Sequence, residues 1–329
     1  MKRNAGIDLF RIFAIFTVVL IHSASTDISY RDGVLRWLPP ANACFALLAG
    51  WFLFKPACGD LTFSTVGGLL VKRLKRLVVP YLIWEMIYVL ANMGFDLLSG
   101  KLQLSALPDW IGIVFFGAGS VQLWFVITLA YAQMILCGIM AAIVATRGVS
   151  SVRLGEGFLM AGCFVLLAVG VLVWRASGIE NDYWRRFAFL FGYGALGVGL
   201  RHAVYEMRSL DKSFIRKCIM YIGIGLVVAS WFFNIPETMR VLAWCLVFGC
   251  MPINASLQKW LAYGSESVMG IYLCHVLFTR MIAMDVPAVS SVIPNGYAIV
   301  LINAFIGFAA SLAFSLLVKR IRWRWMISL

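Results

Sequence analysis

The fold class this sequence predicts is all-α, a polytopic integral membrane protein of about ten spanning helices, and three observations predict it. Hydrophobic residues make up 62% of the chain and charged residues only 13%, whereas soluble domains carry about 25% charged residues. Mean hydropathy is +0.90, with 24 Phe and 12 Trp. Apolar runs recur at lengths near the ~20 residues a helix needs to cross a bilayer. The 329 residues would suffice for one or two soluble domains. They read instead as one transmembrane domain over residues 1–329.

Taken in order, the first run covers about residues 7–24 and contains Asp8, Arg11 and His22. A cleaved signal peptide is the rival reading, since Lys2 and Arg3 precede the apolar stretch. Asp8 and Arg11 interrupt what should then be purely apolar, so the run is expected to be retained as a helix. The second run, about 38–54, follows Pro39 and Pro40, and the third, about 77–99, follows the basic cluster Lys72, Arg73, Lys75 and Arg76. Residues 107–118, with Trp110 and a Phe-Phe-Gly run, read as a surface-lying or re-entrant segment. Runs four to seven cover about 121–145, 157–175, 184–201 and 215–233. The eighth, about 238–254, begins just after Pro236; the ninth, about 267–284, carries His275; and the tenth covers about 296–318.

Basic residues give an independent orientation, because cytoplasmic loops collect Lys and Arg. With the N-terminus inside, twenty of the 28 fall on the cytoplasmic side and eight outside. Both termini are then expected in the cytoplasm, with the net charge of +13 on the inner face and able to meet anionic lipid head groups.

The eight cysteines form no Cys-x-x-Cys pair, and the three histidines at 22, 202 and 275 are scattered. No local metal-ligand spacing results, so neither metal nor a disulfide framework is expected. Nor is nucleic acid expected as a partner. The glycines of 192–199 fit close helix packing better than ligand binding.

Four places stand out. Arg11 and His22 are eleven residues apart, three helical turns plus about 20°, so they leave one helix face roughly 16 Å apart along the axis. Asp8 lies one turn before the arginine on that face. Ionisable groups in a bilayer are costly and mostly face a bundle interior or a water-filled cavity. The pair also reads as a snorkelling arginine and a hydrogen-bonded interfacial histidine. Second, Arg73 and Arg76 share a helix face and offer two planar forks suited to phosphate oxygens; a positive-inside signal accounts for the charges but is indifferent to their spacing. Third, Gly119 to Phe125 places the hydroxyl of Ser120, the amide of Gln122 and the indole of Trp124 within about a turn and a half, able to line a cavity, although tryptophan there also suits an interfacial belt. Fourth, His275 sits near the middle of run nine, where it needs a partner, which a neighbouring helix can supply without any chemistry.

The chain resembles the membrane-bound acyltransferase 3 family. The resemblance covers essentially the whole chain and rests on Gly6-Ile-Asp8-Leu-Phe-Arg11 leading to His22, on Phe45-Ala-Leu-Leu-Ala-Gly50-Trp-Phe52, on Arg73-x-x-Arg76 followed by Pro80-Tyr81, on Ser120 with Leu123-Trp124-Phe125, and on Gly270-Ile-Tyr272-Leu-Cys-His275. Position 49 is Ala where the family often has a small hydroxyl residue. The resemblance implies a catalytic His22, with Arg11, Arg73 and Arg76 binding the phosphates of the donor acyl-CoA, acetyl-CoA by default. It places Ser120 and Trp124 on the acceptor side, and His275 joins them as an expected substrate-binding residue. The acceptor expected is a carbohydrate or another cell-envelope component, and the location a bacterial inner membrane. A multi-span transporter or flippase is the competing class, since broken helices such as the Pro-flanked eighth occur at transport sites; it leaves the two arginines at fork spacing without an evident use.

Overall fold

The computed structural model describes residues 4–24, 38, 40–54, 62–98, 110–147, 154–178, 181–206, 212–233, 236–284, 296–323 and 326–327. Of the residues used for orientation, Lys2, Arg3, Arg31, Arg36, Lys55, Lys101, Arg153, Arg208 and Arg324 lie outside these, as do Pro39 and Cys58. The described residues are mostly helical, with no strand among them. In chain order the helices are α1 (Ala5–Ser23), α2 (Ala41–Trp51), α3 (Phe63–Leu98), α4 (Trp110–Phe116), α5 (Trp124–Arg147), α6 (Leu154–Ala176), α7 (Asp182–Glu206), α8 (Lys212–Phe232), α9 (Glu237–Cys250), α10 (Ala255–Ser265), α11 (Val268–Met284) and α12 (Gly296–Arg320).

Each apolar run contains a helix, but three details differ from the sequence expectation. α3 begins at Phe63 and runs 36 residues straight through the basic cluster. Hydropathy finds the lipid-crossing part of a helix, and the charged turns before it are good helix formers that stay helical in water. Residues 110–116 of the expected surface segment form a short helix. α10 has no counterpart in the predicted runs. Its N-cap is Asn254, whose side chain accepts from the Leu257 amide at 2.9 Å, and it meets α11 at a bend of 59°.

Four described helices are long and apolar enough to cross a membrane on length and composition: Ala5–Ser23, Phe63–Gly94, Trp124–Ala145 and Ala298–Arg320. The bent pair Ala255–Ser265 and Val268–Arg280 qualifies as a fifth if taken as one span. Large side chains such as Leu166, Phe232, Trp260 and Phe305 are exposed, an outward apolar surface that suits lipid rather than water. The protein is an integral membrane protein.

The chain divides into two compact units. The first comprises Met1–Phe45 and Leu210–Ile327, and α1 is its axis, packed against α9, α10, α11 and α12. Asn4 starts α1 by accepting from the Gly6 amide at 2.9 Å, and its own amide donates to the Gly249 carbonyl at 3.1 Å, tying the cap to the end of α9. Gly6 is required there: a Cβ would lie 1.9 Å from the Phe248 carbonyl oxygen. Above this contact Phe10 stacks on Phe248 with centroids 5.3 Å apart, and Phe13 leans on Trp244. Phe16 turns towards α12 and meets Phe305 and Phe308.

The second unit, Ala46–Ser209 with the last two residues, holds α3 to α7 and the C-terminal half of α2. α6 and α7 form its most extensive helix pair, and the glycines of 192–199 explain why. A Cβ on Gly199 would meet the Ala161 carbonyl at 3.0 Å and one on Gly192 would meet Leu172 at 2.8 Å, both on α6, while one on Gly197 would lie 2.0 Å from the Leu47 carbonyl oxygen of α2. Small residues on two faces let α7 approach two partners at backbone distance.

Candidate functional site

Within the first unit the structure brings together two of the residues singled out above. His22, at the C-terminal end of α1, and His275, on α11, have ring centroids 5.0 Å apart and planes inclined by 50°. His22 is half-buried and His275 is 0% exposed. The Nδ1 of His275 lies 2.7 Å from the Tyr272 carbonyl oxygen and 3.2 Å from that of Ile271. Its Nε2 is buried without a hydrogen-bond partner among the described residues. The Tyr272 ring lies 5.9 Å from that of His275 and also meets Phe45 edge-on. Arg11 is half-buried on α1, three turns before His22. Asp8, one turn earlier still, is buried and accepts a hydrogen bond from the Ser265 hydroxyl at 2.7 Å, at the end of α10 just before the bend into α11.

The second unit holds the other predicted residues in two places. Arg73 and Arg76 lie about one turn apart on α3, both half-buried. Arg73 donates through Nη2 to the Phe52 carbonyl just beyond the end of α2, where a cation complements the exposed carbonyls of a helix C-terminus. Arg201 reaches the same end, its guanidinium 5.3 Å over the Trp51 ring. Sequence reasoning had counted Arg201 only towards orientation, and nothing in its local sequence announces this meeting.

The other place is the turn that leads into α5. Ser120 and Gln122 are buried, and the serine hydroxyl donates to Oε1 of Gln122 at 2.6 Å. Helix α5 starts at Trp124, slightly later than the predicted run, because Ser120 to Leu123 form this side-chain-bonded turn instead. Trp124 is half-buried, with the Arg186 guanidinium 4.9 Å from its ring centroid. Arg186 is itself bridged to Asp182 at 2.8 Å.

Facing this turn is a group that sequence reasoning missed. Glu85 on α3 is 1% exposed; its carboxyl group interacts with the Tyr81 side chain and the Gly119 backbone, but neither oxygen makes a well-formed hydrogen bond among the described residues. Its Oε2 lies where a Cβ on Gly119 would come within 2.0 Å. Tyr81 and Asn92 share its helix face; Tyr81 donates to the Val114 carbonyl at 3.1 Å and Asn92 to the Gly119 carbonyl at 3.3 Å. The signal was present in the sequence, since a lone acid within an apolar run meets the same criterion that selected Arg11 and His275.

A family model described as an acyltransferase domain, that of acyltransferase 3, matches residues 4–320. No curated protein and no solved structure matches.

Proposed function

Since the chain belongs to the acyltransferase 3 family, we propose that this membrane acyltransferase moves an acyl group, acetyl by default, from cytoplasmic acyl-CoA to a hydroxyl of a carbohydrate or cell-envelope acceptor, with His22 as general base. The observation that carries the reading is the half-buried imidazole of His22, placed on the same helix as Arg11. About 16 Å separate the two positions along α1, which suits an elongated donor with phosphates at one end and a thioester at the other.

In this reading neutral His22 takes the proton from the acceptor hydroxyl as the oxygen attacks the thioester carbon. The new C–O bond forms, the C–S bond breaks, and the imidazolium returns its proton to the departing sulfur. Positioned general bases of this kind contribute about 10²–10⁴-fold in rate. Arg11, Arg73 and Arg76 bind the phosphates, each guanidinium offering five donors in a fork that matches phosphate oxygens. Ser120 and Trp124 bind the acceptor. His275 belongs to the substrate-binding set through its place beside His22. The topology that accompanies the reading is ten spans with both termini in the cytoplasm, in a bacterial inner membrane.

The test is transfer itself. Membranes from cells that express the full chain are supplied with radiolabelled acetyl-CoA, and label is followed into the carbohydrate fraction. Label incorporated by the natural chain and absent with His22→Ala supports the reading; equal incorporation by both removes His22 from the chemistry.

A further inference from the structure

Helix α10 is too short to cross a bilayer, since its 11 residues extend about 16 Å, roughly half of a hydrocarbon core. Contacts at its C-terminal end fix the level at which it lies. Its last residue, Ser265, is bonded at 2.7 Å to Asp8 in the first turn of α1. Lys319, in the last turn of α12, donates to Ser267 at 3.1 Å and stands 3.9 Å from Glu266. Both α1 and α12 are long and apolar enough to span. Helix α10 therefore sits where one span begins and another ends, at a boundary between lipid and water, and the 59° bend turns the chain into α11, which packs on both.

The two faces of α10 differ. Leu261 and Ser265 are buried, and a Cβ on Gly264 would touch Ile12 of α1 at 3.1 Å, so this side is packed. On the other side Ser256, Lys259, Trp260 and Tyr263 recur at helical spacing and all are exposed, Trp260 at 74%. With Ala255 they line an open groove of about 660 Å³, within the range of about 300–1,000 Å³ usual for ligand clefts. The charge around the groove has one sign. Residues 255–267 and 317–323 contain Lys259, Lys319, Arg320 and Arg322 against a single acid, Glu266, which is already beside Lys319. The Lys319 ammonium also lies 5.6 Å from the Tyr263 ring, so a second cation stands at the end of the groove.

We infer that the groove on α10 is a binding site for an anionic phospholipid of the surrounding bilayer, with Lys259 holding the phosphate and Trp260 and Tyr263 covering the glycerol and the first acyl carbons. Helices that lie in the interface bind through buried apolar area together with attraction to anionic lipid. Tryptophan and tyrosine settle at headgroup level because their rings are apolar in body and polar at one edge. A free anion would meet the lysine but leave both rings uncovered, and it is the rings that single out a lipid. A second copy of the chain would bring an equally basic face to this one, where like charges repel. The site is separate from the acyl-transfer residues and does not depend on their roles.

The test uses the full chain, purified in neutral detergent, freed of native lipid and titrated with phosphatidylglycerol or phosphatidylcholine, with bound lipid read by native mass spectrometry. Phosphatidylglycerol is expected to be retained at concentrations where phosphatidylcholine is not. Lys259→Gln should weaken retention by about fivefold, the effect of one basic residue at an anionic surface, and Lys259→Arg should restore it. Trp260→Ala should weaken it as well. Both side chains are exposed, so these variants are expected to melt as the natural chain does. Lys217→Gln, at an exposed position on α8, should change nothing, and excess inorganic phosphate should leave the lipid in place. Equal retention of the two lipids, or equal loss with Lys217→Gln, would reduce the effect to unspecific adsorption and overturn the inference. Displacement by inorganic phosphate, or a dimer that Trp260→Ala disperses, would assign the groove to another occupant and overturn it too.

Discussion

The carboxylate of Asp8 and the hydroxyl of Ser265 are bonded at 2.7 Å across 257 positions of sequence, with both residues buried. The bond ties the first turn of α1 to the last residue of α10, where the chain bends by 59° into α11. His22 and His275 ride on the two helices that this bond and its surroundings hold in register. The packing of α1 therefore bears directly on the candidate chemistry.

Ser265→Ala removes the donor and leaves a buried carboxyl oxygen short of it, at a cost of about 1–3 kcal/mol. The expected outcome is a lower melting temperature in detergent, and a loss of transfer larger than the stability change alone explains. A variant with natural stability and natural turnover would show that the bond positions nothing.

Gly6→Ala places a methyl group 1.9 Å from a carbonyl oxygen of α9. Helix backbones do not yield as flexible side chains do, so overpacking here is expected to cost about 1–3 kcal/mol or more. Gly67→Ala, where nothing lies within 4 Å of the added carbon, is the matched control and should stabilise or leave unchanged the melting of the purified protein.

His22→Ala is expected to lower acyl transfer by about 10²–10⁴-fold while the protein still gains thermal stability from added CoA. Ligands that bind only the folded state raise its stability by mass action, so a retained shift separates lost chemistry from lost binding.

Arg73→Ala should chiefly raise the apparent KM for acyl-CoA, and an unchanged value would remove Arg73 from the phosphate site. Because Arg73 also donates to the Phe52 carbonyl, Arg73→Lys is the useful companion. It keeps the charge and a donor but loses the planar fork, so it should restore stability more fully than affinity.

Glu85→Gln removes a buried ionisable group whose oxygens make no well-formed hydrogen bond among the described residues. Keeping a carboxylate charged in such surroundings is costly, so the neutral amide is expected to match or exceed the natural melting temperature. A clear fall would mean that the carboxyl's contacts with Tyr81 and the Gly119 backbone stabilise the fold. Loss of transfer without a fall would mark it as part of the acceptor side beside Ser120.

The helices were largely legible because lipid imposes a simple rule: long apolar runs become helices, as 184–201 became Asp182–Glu206. Where the rule is silent, the reading stopped short. Residues 63–76 are helical yet basic, and α10 is short and amphipathic, held by an Asn254 cap rather than by apolar length. Both histidines were singled out individually, each as an ionisable group at membrane depth. Their meeting could not be read, since a contact between positions 22 and 275 leaves no periodicity in either segment. Glu85 passed unnoticed although the criterion applied to it, and the Arg201 contact with Trp51 depends entirely on how α7 packs.

The place of α1 in its unit also sets a problem of timing. Helix α1 is packed against α9 to α12, which are made well after it, since these partners begin only after Leu210. Until then Asp8 and Arg11 lack their final surroundings, and such long-range pairing is slow and exposes unfinished faces. Biogenesis of this protein should accordingly depend on an insertion factor that shelters an apolar helix carrying Asp8 and Arg11, and truncation before α12 should leave α1 open to quality-control proteolysis.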